Sequence, residues 1–176
     1  MTASTHESEQ RTTRAVIDGF YAAYARRDVD TMMTYVSDAI VEDLSGVGLV
    51  TGRLAEERFL RSLFAAFPDL HTEVTRVVID KNSACVEWQR HGTFTGADFH
   101  GTPATGRPFQ FKGGAFIDVA DGLITRINGY YDTAVFARAI GALPPEGSKS
   151  ERFAMALLRL RTAYGRRRRR RALEHS

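Results

Sequence analysis

Two aspartates occupy positions from which a carboxylate could carry acid–base chemistry, and Asp132 is the first. It ends a strand-like segment, follows two tyrosines and precedes Ala134, Val135 and Phe136. An apolar environment disfavours the charged carboxylate, so it raises the pKa and allows proton exchange near neutral pH. The position is equally that of an N-cap for a helix starting at Thr133, where backbone N–H groups would lower the pKa instead. Both interpretations stay open from the residues alone.

Asp43 is the second candidate carboxylate. It alternates with Val41 on a short extended segment that runs into the turn Ser45–Gly48. There it is either a base or a solvated aspartate at a strand end. If Asp43 and Asp132 enter one pocket, the repulsion between their charges would separate their titrations and leave one acid and one base.

Two polar side chains accompany Asp132 on its strand. Asn128 and Tyr130 share its parity, so all three are expected on one face of the sheet. There they would donate hydrogen bonds to an enolate or carbonyl oxygen, or else face solvent. A regular hairpin turn at Asp121–Gly122 would place mainly small and apolar residues of the preceding strand on that face, whereas a bulge would flip the assignment: Phe111, Gly113, Ala115 and Ile117.

The remaining reactive residue types give weaker signals. His91, on a strand, could transfer protons near neutral pH or be structural. Cys85 is the only cysteine, which excludes an intramolecular disulfide, and it is expected to be a buried thiol. No spacing of His, Cys, Asp and Glu resembles a metal site, and no phosphate-binding glycine motif is present.

Helices and strands are segregated along the chain. Helical periodicity covers the first part, and β-branched and aromatic runs separated by turn residues follow Pro68. This order predicts an α+β fold and not a doubly wound parallel sheet. We expect helices over 12–27, 29–36, 54–67 and 133–141, and strands over 38–44, 71–80, 84–94, 109–119 and 123–132.

Charge and composition divide the chain. We expect a disordered lead over 1–11, one domain over 12–145, a linker and C-terminal helix over 146–165, and an arginine-rich tail over 166–176. The first 148 residues hold 14 basic and 19 acidic residues, so their charge does not favour specific nucleic-acid binding. The run Arg166–Arg171 would attract an anionic partner, or remain solvated.

Apolar runs are short throughout the sequence. None approaches the ~20 residues of a membrane-spanning helix. The polar first segment lacks the apolar stretch of a signal peptide. We therefore expect no transmembrane segment and a cytoplasmic protein.

The stretch Gly101–Pro144 carries a family resemblance. Its features are PATGR before a strand, a D-G-x-I hairpin, the strand-ending Asp132 and a helix that closes with a glycine-containing segment. With Trp88 and the pair Gly92–Thr93, these features resemble the SnoaL-like polyketide cyclases of the NTF2-like fold. The segment Asp38–Asp43 also resembles the opening of ketosteroid isomerase, which has the same fold.

The resemblance implies a fold and a chemistry. The fold is a cone-shaped, curved antiparallel or mixed sheet packed against three N-terminal helices around a pocket, often as a homodimer. Asp132 matches the acid/base aspartate of the cyclases, and Asp43 matches the isomerase base. The implied function is cofactor-independent cyclisation or isomerisation of a hydrophobic polyketide- or terpenoid-like carbonyl compound, bound by Phe20, Tyr24, Trp88 and His91 besides Asn128 and Tyr130. The alternative is a non-catalytic module that binds a small molecule.

Overall fold

The computed structural model describes residues 2–153, 155–157, 159 and 161, with side chains from Thr12 onward. Three helices and two strands come first, followed by a meander of four longer strands and a short helix. Their bounds are α1 Thr2–Ala25, α2 Val29–Met33, β1 Val36–Leu44, β2 Gly48–Thr51, α3 Arg53–Ala66, β3 His71–Asp80, β4 Ser83–Thr93, β5 Pro108–Ala120, β6 Leu123–Tyr131 and α4 Thr133–Ala139.

Within the described residues, six strands form one mixed sheet in the order β2-β1-β6-β5-β4-β3. Strand β1 runs parallel to β6, and every other neighbouring pair is antiparallel. The predicted α+β class and the predicted meander of β3 to β6 are therefore confirmed. The parallel pairing places β1 between β2 and β6, the strand that ends at Tyr131 just before Asp132.

One face of this sheet is covered by α1 and α3. Helix α1 places apolar residues at three- and four-residue steps, and Ile17, Phe20 and Tyr24 are buried against the strands. Strand residues such as Ile117 and Ile124 are fully enclosed below them. Each such side chain contributes about 1.5–3 kcal/mol on burial, so this layer holds the helices over the sheet.

The register between β5 and β6 departs from the regular hairpin that Asp121–Gly122 suggested. Thr125 is an extra residue in β6, so the register shifts between Asp118 and Val119. Asn128 and Tyr130 consequently pair with Phe116 and Gly114. The placement of Phe111, Gly113, Ala115 and Ile117 on the face of Asn128 was wrong, because the bulge moves that set to the opposite, buried face.

The ends of the domain also differ from expectation. Helix α1 begins at Thr2, so the segment predicted as a disordered lead is helical in the backbone, consistent with its Ala, Glu, Gln and Arg content. Strand β2 was not predicted; its four residues pair along β1. After α4 the backbone is helical again over 149–153, where Glu151 pairs with Arg138 at 3.2 Å.

The arginine run 166–171 lies outside the described residues, so the expectation of an anionic partner for it stays a prediction. Among the described helices, none combines the length and apolar character needed to cross a membrane.

Candidate functional site

A narrow cavity lies between α1, α3 and the buried face of the sheet. It encloses about 30 Å³ of solvent-sized space, enough for about one or two water molecules. Most of its wall is aromatic or aliphatic, and three charged side chains interrupt that wall: Glu42, Glu56 and Arg90. Charged groups in an apolar cavity are costly to bury, so their presence identifies this cavity as the candidate site.

Glu42 and Glu56 form a buried carboxyl pair. Strand alternation turns Ile40, Glu42 and Leu44 of β1 toward the helices, and Glu56 lies in the first turn of α3 directly above them. Glu42 is 7% exposed and Glu56 is 1% exposed. The two side chains are hydrogen-bonding partners.

The shared proton of this pair belongs to Glu56. Burial, the neighbouring charge of Glu42 and their hydrogen bond together raise the pKa of Glu56 to about 9, and burial contributes most. Burial also raises the pKa of Glu42, but there the hydrogen bond from Glu56 and the charge of Arg90 act in the opposite direction. Glu42 therefore loses its proton first. The pair contains a neutral acid and a carboxylate that can act as a base.

One oxygen of each carboxyl group has no hydrogen-bond partner. The Oε2 atoms of Glu42 and Glu56 are buried and unpaired, and so is the hydroxyl of Tyr24. All three residues line the cavity. Unsatisfied buried polar atoms that border one space indicate a place for a polar group of a ligand or a water molecule.

Arg90 is held over the cavity by aromatic rings. It follows Val86 and Trp88 at two-residue steps, so β4 directs it to the buried face. Its guanidinium carbon lies 4.0 Å from the ring centroid of Trp88 and 4.8 Å from that of Tyr24. The Nε atom of Arg90 is buried without a hydrogen-bond partner.

Three tyrosines surround this charge. Burial raises the pKa of Tyr24 to about 12, even though the positive charge of Arg90 acts to lower it. Burial likewise raises the pKa of Tyr21 and of Tyr131. All three hydroxyls thus stay protonated at neutral pH and act as hydrogen-bond donors.

A comparison with protein families decides where this fold belongs. The family model of the SnoaL-like domain matches residues 17–127, which contain α1 from Ile17 onward, the carboxyl pair and Arg90. The chain belongs to the SnoaL-like family. No curated protein matches it.

Solved structures with this fold include three instructive relatives. A candidate SnoaL-like polyketide cyclase from Jannaschia sp. CCS1 superposes with a TM-score of 0.70 at 18% identity, over 77% of this chain and 95% of the other. IdmH from Streptomyces antibioticus, a candidate polyketide cyclase, gives 0.63 at 24% identity, over 73% and 98%. An epoxide hydrolase of the LEH-like type from M. tuberculosis gives 0.61 at 18% identity, over 76% and 92%. At these identities the superpositions show the fold alone.

Within this SnoaL-like domain, Asp132 lies outside the cavity wall. Its side chain is exposed, and its Oδ1 atom accepts a hydrogen bond from the backbone N–H of Val135 at 2.9 Å. That is the N-cap of α4. The N-cap interpretation is confirmed, and the catalytic interpretation of Asp132 stays a prediction.

Asp43 is adjacent to Glu42 in the chain but points the other way. Strand alternation leaves Asp43 exposed while Glu42 is buried. Asp43 and Asp132 are therefore both exposed, and neither belongs to the cavity lining. Their proposed coupling in this cavity is not supported by these positions.

The predicted ligand-binding residues divide between two faces. Phe20, Tyr24 and Trp88 line the cavity. Asn128 and Tyr130 lie on the opposite face, where Tyr130 is 56% exposed and packs edge-on against Phe116.

His91 is also outside the cavity. It is exposed, its ring lies 4.8 Å from that of His71, and it lines a separate surface groove. Among the described residues, no cluster of three His, Cys, Asp or Glu side chains is arranged to hold a metal ion.

Sequence reasoning missed Glu42, Glu56 and Arg90, although a signal was present. Each is a charged residue at a position whose neighbours in the pattern are buried. Glu42 lies between Ile40 and Leu44 at two-residue steps. Glu56 precedes three cavity-lining residues at spacings of three, four and seven, the pattern of one helix face: Phe59, Leu60 and Leu63.

Proposed function

We propose that this SnoaL-like domain is a cofactor-independent enzyme that moves a proton on a hydrophobic carbonyl compound, with cyclisation or isomerisation as the outcome. The carrying observation is the buried pair of Glu42 and Glu56 in an aromatic cavity. A carboxylate with a raised pKa that is hydrogen-bonded to a protonated carboxyl group is suited to proton transfer near neutral pH. Relatives of the same fold that are named as candidate polyketide cyclases support the substrate class.

The proposed step begins with Glu42. Its carboxylate takes a proton from the carbon next to the substrate carbonyl, and the electron pair moves to the carbonyl oxygen to form an enolate. A hydrogen bond from the hydroxyl of Tyr24 stabilises the negative oxygen. The enolate then attacks a second carbonyl, which closes a ring, or regains a proton at another carbon, which isomerises the compound.

Glu56 is the proton donor that accompanies Glu42 in this cycle. While Glu42 is ionised, the hydroxyl of the Glu56 carboxyl group donates a hydrogen bond to it. When Glu42 has taken the substrate proton, either carboxyl group can return a proton to the product. Over the cycle no proton is gained or lost and no electron is transferred to or from the substrate, so no redox partner is required.

The cavity must open to admit a substrate of this class. Its 30 Å³ is far below the ~300–1,000 Å³ of ligand pockets. Phe59 and Leu63 of α3 line it and are only half-buried, so they are the side chains that can move aside. The small volume favours a second candidate function, a non-catalytic binding module whose ligand reaches only the cavity entrance.

The deciding experiment compares adjacent residues of β1 in the source organism. Glu42→Gln removes the proposed base, while Asp43→Asn changes the exposed neighbouring carboxylate and serves as the matched control. We expect an uncyclised or unisomerised precursor to accumulate only with Glu42→Gln, measured by mass spectrometry of small molecules.

An unchanged profile with a folded Glu42→Gln protein would contradict the enzyme proposal and leave the binding module. Asp132→Asn belongs in the same series. Accumulation with Asp132→Asn alone would transfer the acid–base role to Asp132.

A further inference from the structure

Arg90 carries a positive charge without a contacting counterion. None of the arginine–carboxylate pairs within 4.0 Å in the described part of the chain includes Arg90. An arginine keeps its charge at any physiological pH, so it cannot become neutral as a buried lysine can. Arg90 is half-buried and its Nε atom is fully enclosed, and a charge removed from water in this way is normally paired, which leaves a place for a partner.

The carboxyl pair in the same cavity does not supply that partner. Glu56 is neutral at neutral pH because its pKa is about 9. Glu42 interacts with Arg90 at a distance, but burial dominates and raises its pKa, which disfavours its charged form. Neither carboxyl group lies within 4.0 Å of a nitrogen of Arg90 among the ion pairs of the described residues, so Arg90 has no contacting counterion in the cavity.

The aromatic frame fixes the guanidinium plane. Trp88 at 4.0 Å and Tyr24 at 4.8 Å contribute cation–π attraction, which compensates part of the cost of burial. The Nε–H at the edge of the guanidinium is buried and has no hydrogen-bond partner. An arginine edge of this kind presents two parallel donors, the arrangement that matches a planar carboxylate.

A carboxylate fits this edge better than a phosphate does. One guanidinium balances one negative charge, whereas a phosphate would bring close to two into a cavity that also holds Glu42. The available volume of about 30 Å³ also suits a flat group.

We propose that the substrate of this cavity carries a carboxylate, which Arg90 binds through its N–H edge, on an otherwise hydrophobic skeleton. This inference rests on the proposed use of the same cavity for a carbonyl substrate and narrows its class to hydrophobic oxo-acids. The carboxylate anchors the molecule under Trp88, and the reacting carbonyl then lies beside Glu42.

The test uses the intact chain and three probes of one skeleton: 4-phenylbutanoate, its methyl ester and its primary amide. We expect the acid to bind wild-type protein about tenfold or more tightly than either neutral probe, by calorimetric titration. Arg90→Gln should abolish this preference while leaving the ester unchanged. Arg126→Gln, which alters an exposed arginine of β6, is the control and should change neither.

Arg90→Lys provides a second test in case the Arg90→Gln protein does not fold. Lysine keeps the charge but loses the paired donors, so the preference for the acid should fall by about threefold to tenfold. Equal binding of acid and ester to wild type, or an undiminished preference in Arg90→Gln, would overturn the inference. So would failure of all three probes to bind.

Failure of the carboxylate inference and failure of the proposed function are distinguishable. If the ester binds as well as the acid while Glu42→Gln still accumulates a precursor, the enzyme proposal stands and only the carboxylate is wrong. If the acid binds through Arg90 but the metabolite profile never changes, the chain is a binding module for hydrophobic acids.

Discussion

Glu42 of β1 and Glu56 of α3 are buried hydrogen-bonding partners, joined across the interface between the sheet and the helix above it. Two carboxyl groups in an apolar site cannot both ionise at low cost, so one must hold a proton. A purely structural role would be served at least as well by apolar residues of the same volume. The buried pair therefore lowers the stability of the fold, and it is suited to proton transfer.

Glu56 should make the protein less stable as pH rises. In the folded state its pKa is about 9, while an unfolded glutamate titrates near about 4.3. The folded chain therefore keeps a proton that the unfolded chain releases between these values. The free energy of unfolding should fall by up to about 1.4 kcal/mol per pH unit for this group.

Glu56→Gln removes this titration and keeps the shape of the side chain. Urea unfolding from about pH 5 to about pH 8 should give a clearly flatter profile for the variant, with greater stability than wild type at the upper end. Glu57→Gln is the control, since Glu57 is the adjacent residue and pairs with Arg61 outside the cavity. Parallel profiles for wild type and Glu56→Gln would show that Glu56 is not protonated in the folded state.

Most of the fold could be predicted from local patterns. The four strands of the meander and helix α3 agree with the expected bounds to within one residue, because two-residue alternation and Pro68 mark them clearly. Strand β2 could not be predicted, since its four residues are stabilised by pairing along β1 and have no pattern of their own. The bulge at Thr125 could not be predicted either, because no local sequence pattern marks it.

The site was harder to predict than the fold. Asp132 and Asp43 were predicted as site residues from their residue type and their positions in family motifs, yet both are exposed. Glu42 and Asp43 are adjacent in the chain, and they differ in burial only because successive residues of β1 point to opposite faces of the sheet. Glu56 joins the site through α3, a contact between distant parts of the chain that periodicity alone does not specify.

Gly113 should be far less replaceable than Gly114. A Cβ atom at Gly113 would lie 2.5 Å from Cη2 of Trp88 and 2.5 Å from the carbonyl oxygen of Tyr130. Gly113→Ala should therefore displace the indole under Arg90 and cost about 1–3 kcal/mol of unfolding free energy. At Gly114 the nearest atom, the carbonyl oxygen of Val86, is 3.1 Å away, so Gly114→Ala should cost less. Equal losses in urea unfolding would contradict this packing.

Phe59→Ala should enlarge the cavity. The ring is half-buried, so its loss should cost about 2 kcal/mol, less than for a fully buried phenylalanine. The variant should also accept bulkier aromatic acids than wild type in calorimetric titration, because the removed ring lines the cavity. Leu54→Ala on the same helix is the control: Leu54 is 69% exposed, and its loss should affect neither property. An unchanged ligand range in Phe59→Ala would indicate a different entrance.

Asp132 should affect stability through its cap. Asp132→Ala removes the acceptor for the Val135 N–H and should cost about 1 kcal/mol of unfolding free energy. Asp132→Asn keeps a capping oxygen and should cost clearly less. Comparing both variants by thermal unfolding separates the cap from catalysis, because a precursor that accumulates in Asp132→Asn cannot then be attributed to instability.

Binding of a hydrophobic acid should weaken as pH rises. An anion on Arg90 would raise the pKa of Glu42, so the complex favours protonated Glu42 and takes up a proton. The carboxylate ligand itself is already ionised at neutral pH. The other titratable groups that line this cavity or lie next to it stay protonated at neutral pH, because burial raises the pKa of each: Tyr21 and Tyr24 from α1, Glu56 from α3, and Tyr131 of β6 beside Trp88.

The affinity for 4-phenylbutanoate should therefore fall by up to about tenfold per pH unit above the pKa of Glu42. Calorimetry in two buffers of different ionisation enthalpy should detect the proton uptake directly. Glu42→Gln should remove both the uptake and the pH dependence, whereas Asp43→Asn, on the outer face of the same strand, should keep them. If wild-type affinity does not vary with pH and no proton is exchanged, the bound anion does not share the cavity of Glu42, and the geometry proposed for the substrate fails with it.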